Sequence, residues 1–149
     1  AGAAERILNA GRLSGSSRNA QPWTFVVPEG RARVERLAES VYAPENLLRA
    51  ALVVAIVVRG KGPVSFDAGR AAQSMLLAAW ADGIASCPNG IADEPAARAV
   101  LECAEDERPV IVLSFGLPER VADPARHDAE EWSRRAQRKS LHEVVRRLP

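Results

Sequence analysis

The sequence is short of most of the residues on which familiar chemistries depend. Two cysteines occur in 149 residues, Cys87 and Cys103, in neither metal-site nor C-x-x-C spacing. A structural zinc and a thioredoxin-like pair are thereby excluded, and a secreted disulfide framework needs more cysteines. Both are expected to be free, buried thiols of a cytoplasmic protein. Histidine also occurs twice, at His127 and His142, in a polar C-terminal stretch where solvated side chains are expected. No H-E-x-x-H, P-loop or G-x-G-x-x-G is present, and no metal is expected. Ser14-Gly15-Ser16 has the letters of a nucleophile elbow without its strand–turn–helix setting. Aromatics are 5% of the chain, too few for a base-stacking surface, and the net charge of +1 gives no reason to expect nucleic acid or an anionic membrane as partner. The longest apolar run, Ala50 to Val58, falls far short of the ~20 residues of a membrane helix. No charged-then-apolar leader opens the chain, which starts on Ala1 rather than Met.

What remains is an ordinary globular composition, 47% hydrophobic and 26% charged, at a length that predicts one domain over residues 1–149. Residues 3–11 read as the end of a helix, and 14–19 as a polar loop rich in turn formers. Trp23 to Val27 alternates like a strand, and residues 31–40 carry Val34, Leu37, Ala38 and Val41 on one helical face. The β-branched run Leu52 to Val58 predicts a strand buried on both faces. A helix is expected from Asp67, as its cap, to about Asp82, with Gly83 as the residue that ends it. Between Ala71 and Ala81 this helix has no charge and is apolar around nearly its whole circumference. Such a helix is expected to be buried all round, within one chain or, in a domain this small, by a second subunit. Ser86 to Ile91 reads as a loop around Pro88-Asn89-Gly90, residues 93–103 as a helix capped by Asp93, and Pro109 to Gly116 as a third strand. The tail carries Arg134, Arg135, Arg138, Lys139, Arg146 and Arg147 against Glu143.

No acid–base constellation stands out. Three segments suit an anionic, planar, polar-edged ligand. The 14–19 loop offers hydroxyls, amides and the Asn19 side chain. The 86–91 loop offers backbone N–H groups at a glycine, and the tail offers guanidinium groups that bind phosphate bidentately.

The segment Ser14-Gly15-Ser16-Ser17-Arg18-Asn19-Ala20-Gln21-Pro22-Trp23 resembles the P-S-x-x-N-x-Q-P-W core of the nitroreductase family, with Gly15 in place of proline. Asp67 to Ala79 resembles the family's central helix, D-x-G-x-A-x-Q-N-M-L-L-A-A, and Gly83 to Cys87 its G-L-G-S-C continuation. Leu113 to Pro118 resembles the strand ending in G-x-P, and Arg138 to Val145 the closing R-K-P-L-E-E-V-V. The five motifs follow in the family's order. The family's usual opening R-R-S-x-R segment, which contacts phosphate and ribityl chain, is expected to be missing from this sequence.

The resemblance implies an α+β fold: a mixed, mainly antiparallel sheet flanked by helices, in an intertwined homodimer with FMN at the interface. It implies cofactor contacts at Ser14, Ser16, Ser17, Arg18, Asn19 and Gln21, with Ser16, Ser17 and Asn19 reaching the flavin from the partner subunit. It places Pro88, Asn89 and Gly90 at the reacting edge, the backbone of Asn89 and Gly90 near flavin N5, and gives the phosphate to Arg138 and Lys139. Because Pro88 has no N–H, the amides of Asn89 and Gly90 are the expected donors there, rather than the Asn89 side chain. The implied activity is hydride transfer from NAD(P)H through FMN to an electron-poor small molecule such as a nitroaromatic or quinone, the flavin rather than a side chain carrying the chemistry. A dehydrogenase or oxidase of another substrate on the same fold, or a non-catalytic flavin-binding module, are the alternatives.

Overall fold

In the computed structural model, which describes residues 2–121 and 123–148, the chain divides into two compact units, Ala1–Glu119 and Arg120–Pro149. The first is built on β2 (Leu52–Arg59), whose residues Val53 to Val58 are all buried. Successive strand residues point to opposite faces, so a continuous apolar run needs cover on both. Val54, Ile56 and Val58 pack with Ile7, Ala68, Met75 and Ala79 of α1 (Ala3–Arg12) and α4 (Val64–Ala81). Val53, Ala55 and Val57 pack with Leu37, Leu47 and Ala97 of α2 (Arg31–Ala38), α3 (Pro44–Leu48) and α5 (Glu94–Val100). The result is a sheet between two helical layers.

With β1 (Trp23–Val26), β3 (Ala85–Asn89) and β4 (Glu107–Gly116), the sheet order is β1-β2-β4-β3 and every pairing is antiparallel. The expected α+β class with a mainly antiparallel sheet is found. The segment read as a loop from Ser86 is instead strand β3 as far as Asn89, with Pro88 opposite Leu113. A proline inside a strand argues against a central position, but β3 is an edge strand, where one row of amides needs no partner. Pro109 in β4 likewise lies beyond the part of that strand that β3 covers. The register of β2 on β4 shifts between Ile56 and Val57, where Val110 is the extra residue of a bulge.

Helix α4 starts at Val64, one turn before the expected cap, with Pro63 as its N-cap, so Asp67 does not cap it. Its end is as expected: Gly83 has φ +71°, its N–H donates to Trp80 O at 3.0 Å, and the Ile84 N–H donates to Ala79 O at 2.9 Å. Asp93 caps α5 by accepting from the Ala96 N–H at 2.9 Å, but that helix ends at Val100 rather than near Cys103. Glu102, at φ +55°, turns the chain out of it. Helix α3 had no counterpart in the sequence reading, since five residues are too few to show a helical period.

The second unit contains α6 (Ala129–Arg135), capped by Asp128, and α7 (Leu141–Val144), opened by a capping box of Ser140 and Glu143. His127, expected to be solvated, instead lies 2.9 Å from Glu131 and edge-on to Trp132, with 13% of its side chain exposed.

Helices α1 and α4 cross at Gly11. A Cβ there would come within 2.2 Å of Met75 Cε, 3.0 Å of Met75 Cγ and 3.0 Å of Phe25 Cζ. Gly11→Val is therefore expected to lower stability by about 1–3 kcal/mol in urea unfolding, as overpacking does. In a Met75→Ala background the same substitution should cost clearly less; equal costs in both backgrounds would show that the crossing is not packed in this way.

Candidate functional site

The first candidate segment joins α1 to β1. The Ser14 hydroxyl stays at the α1/α4 seam, 2.8 Å from Ser74 Oγ and 3.3 Å from Ala10 O. The Ser16 oxygen accepts from the Gln21 N–H at 2.8 Å, closing the loop on itself. The Ser17 N–H, opening a short 3-10 turn over Ser17–Asn19, donates to Oδ2 of Asp67 at 3.0 Å. Arg18, Asn19 and Gln21 are exposed and all have positive φ, +52°, +56° and +47°. The Ser14 and Ser16 oxygens and the Ser17 amide are thus used within the fold, while these three residues are exposed, Gln21 Nε2 donating to the Asn19 carbonyl at 3.3 Å.

The second segment ends β3. The Asn89 side chain, 3% exposed, sits at the centre of a polar cluster in an otherwise apolar sheet. Its Nδ2 donates toward Cys87 O at 2.9 Å, Val112 O at 3.1 Å and Ser114 Oγ at 3.1 Å. Its Oδ1 accepts from Asn46 Nδ2 of α3 at 2.8 Å. Every polar atom of the side chain is thus engaged inward, and the backbone of this turn is what remains for other partners. The Gly90 carbonyl accepts from the Tyr42 N–H at 3.1 Å, while among the described residues nothing accepts from the Gly90 N–H. A Cβ at Gly90 would come within 3.1 Å of the Tyr42 ring, so a side chain there would press on that ring. Beside the cluster lies an open cleft of about 250 Å³ lined by Glu45, Asn46, Arg49, Ser86, Cys87 and Phe115 among others. Asn46 was missed in the sequence because nothing marks a helix as short as α3.

These two segments are not brought together within one chain. The loop leads into β1 and Asn89 ends β3, the opposite edges of the sheet. Three inter-strand spacings, about 14 Å, separate those edges. Arg138 and Lys139 belong to the second unit and are exposed between α6 and α7. There the Ser140 hydroxyl and amide bind the Glu143 carboxylate and hold it below its usual pKa range, which keeps this short turn charged and capped.

A sheet between these two helical layers, with polar loops at both edges, defines an α+β protein. Residues 64–117, which run from the start of α4 past the end of β4, match the nitroreductase family. A protein of Archaeoglobus fulgidus named as an NADH dehydrogenase/NAD(P)H nitroreductase is 28% identical to this chain, covering 86% of it and 84% of its own length. A nitroreductase family protein of Clostridium difficile 630 superposes with a TM-score of 0.79 at 19% identity, over 97% of this chain and 84% of that one, which shows the fold. A nitroreductase of Desulfovibrio desulfuricans, solved in complex with FMN, has a TM-score of 0.69 at 25% identity, over 87% of this chain and 81% of that one. The chain thus resembles the nitroreductase family over residues 64–117 and shares the fold of its solved members.

Asn89→Ala is expected to destabilise the protein by about 1–3 kcal/mol, since it removes the buried amide that donates to the Val112 carbonyl and to Ser114 Oγ. Urea unfolding measures this. A loss below a few tenths of a kcal/mol would mean that water replaces the network at no cost.

Proposed function

We propose that the chain is an FMN-dependent oxidoreductase that takes hydride from NAD(P)H and passes it to an electron-poor small molecule such as a nitroaromatic or quinone. We propose further that it works as a cytoplasmic homodimer. The observation that carries this reading is the outer face of α4. Phe66, Leu77 and Trp80 are 69%, 58% and 49% exposed, at helical spacing, with Gln73 between them. The helix was expected to be buried all round; one chain buries only the side bearing Ala68, Ala71, Ala72, Met75 and Ala79. Large apolar side chains grouped on one exposed face favour cover by a second copy. A second copy packed there also provides a way for the Ser16–Gln21 loop of one subunit to meet the Asn89-Gly90 turn of the other, which a single chain keeps apart.

The residues present fit a flavin. Arg18, Asn19 and Gln21 are exposed polar residues, and among the described residues nothing accepts from the Gly90 N–H. Ser14, Ser16 and Ser17 shape the loop that carries those three residues. In this reading Pro88 fixes the entry to the turn, the Asn89 and Gly90 backbone donates at the flavin's reacting edge, and Arg138 with Lys139 binds the phosphate. When bound, FMN supplies two-electron hydride chemistry that no side chain here performs. The protein's part is to orient the donor and acceptor and to place fixed N–H dipoles where negative charge develops. The NAD(P)H nitroreductase name of the Archaeoglobus fulgidus relative and the FMN complex of the Desulfovibrio desulfuricans protein support the cofactor pair.

Two measurements test this. The purified protein should be yellow, bleached anaerobically by NADH or NADPH and recoloured by a nitroaromatic or quinone. A colourless protein, or a yellow one that neither nucleotide bleaches, rules the reductase out. Leu77→Glu, on the exposed face, should leave a folded chain but dissociate the dimer and release FMN together, as an unpaired charge buried in an interface costs about 3–5 kcal/mol. Sedimentation showing an FMN-loaded monomer for the unsubstituted protein would refute the interface assignment.

A further inference from the structure

Asp67 is a buried carboxylate whose side chain, among the described residues, is bonded to one group outside its own helix. It is 3% exposed, in the first turn of α4, among the apolar residues of that helix's inner face. A buried charge must be met by donors, and Asp67 Oδ2 accepts the Ser17 N–H at 3.0 Å. Ser17 opens the segment in which Arg18, Asn19 and Gln21 all hold positive φ, a conformation that residues with side chains rarely adopt. Three such residues within four positions persist only where the surroundings dictate the backbone. The ends of the segment are pinned: Ser14 lies against Ser74, and the Pro22 carbonyl accepts the Arg59 N–H at 3.0 Å. Between those ends, Asp67 ties the strained turn to the body of the protein.

We propose that Asp67 is a positioning residue. Its carboxylate holds the Ser17 amide and so keeps the Ser16–Gln21 loop in the shape that presents Arg18, Asn19 and Gln21 to the flavin bound with a second copy. The flavin part of this inference rests on the function proposed above; the tether does not.

The local geometry permits a test that removes the donor alone. Ser16 is extended, φ −134° and ψ 160°, as a residue before proline should be, and Ser17 is the first residue of its turn, where proline is tolerated. Ser17→Pro therefore deletes the N–H without opposing the fold, and Ser17→Ala controls for the lost hydroxyl. Two readouts are taken on the full-length protein: trypsin cleavage after the exposed Arg18, scaled to cleavage after Arg36 in α2, and FMN affinity. The scaling removes any general loss of stability, which a merely structural Asp67 would produce.

Asp67→Ala and Ser17→Pro should each raise the scaled cleavage and weaken FMN about 10- to 150-fold, the worth of one hydrogen bond to a charged group. Their combination should be no worse than either. Asp67→Asn, which keeps an acceptor oxygen, should recover most of the loss, and Ser17→Ala should leave cleavage unchanged. If Asp67→Ala does not fold, Ser17→Pro against Ser17→Ala makes the comparison alone. Unchanged scaled cleavage, or additive effects in the double variant, overturns the tether. Accelerated cleavage with unaltered FMN affinity upholds the tether and overturns the assignment of this loop to the flavin.

Discussion

The burial of β2 on both faces is the constraint from which the rest of the first unit follows. Six consecutive apolar residues, Val53 to Val58, cannot be satisfied by one layer of helices. The chain supplies two: α1 and α4 on one side, α2, α3 and α5 on the other. With β2 and β4 central, the polar segments at the two edges are free to serve a ligand without disturbing the core. The place of the candidate segments thus follows from where the apolar run lies.

Helix α4 links this core to the site. Its inner face is mostly alanine, which lets the sheet and α1 come close, and Met75 fills the space opposite Gly11. Its outer face carries the large residues Phe66, Leu77 and Trp80. Apart from Met75 and Leu76, the apolar residues of this helix are sorted by size: small ones where cover comes from its own chain, large ones where it does not. The same helix carries Asp67, so the loop before β1 is anchored to the element that also presents the exposed face.

Much of this was readable in the sequence, and the gaps have physical causes. The β-branched run of β2, the Gly83 stop and the Asp93 cap are local signals that tertiary structure left in place. Strand β3 was hidden because Pro88-Asn89-Gly90 has turn chemistry, and only the strand's position at a sheet edge permits its proline. Asp67 has the sequence context of a cap, but Pro63 occupies that place, and the partner of its carboxylate lies fifty residues away in the chain. No periodicity reports so distant a bond. The engagement of Asn89 with Asn46 was equally out of reach, since it depends on α3, a helix shorter than two turns. Of the cofactor-binding residues inferred by resemblance, Arg18, Asn19 and Gln21 are exposed. Ser14 and Ser16 use their hydroxyl oxygens within the fold.

The prolines at the borders of the sheet have a consequence for crowded solutions. Edge strand β1 is four residues long and is bracketed by Pro22 and Pro28, and edge strand β3 contains Pro88. Neither border offers the long uninterrupted row of amides along which foreign strands add and polymerise. A molecule with strongly apolar central strands can in this way be kept from templating fibrils, and the geometry steers self-association toward helical surfaces, where contacts are discrete and closed.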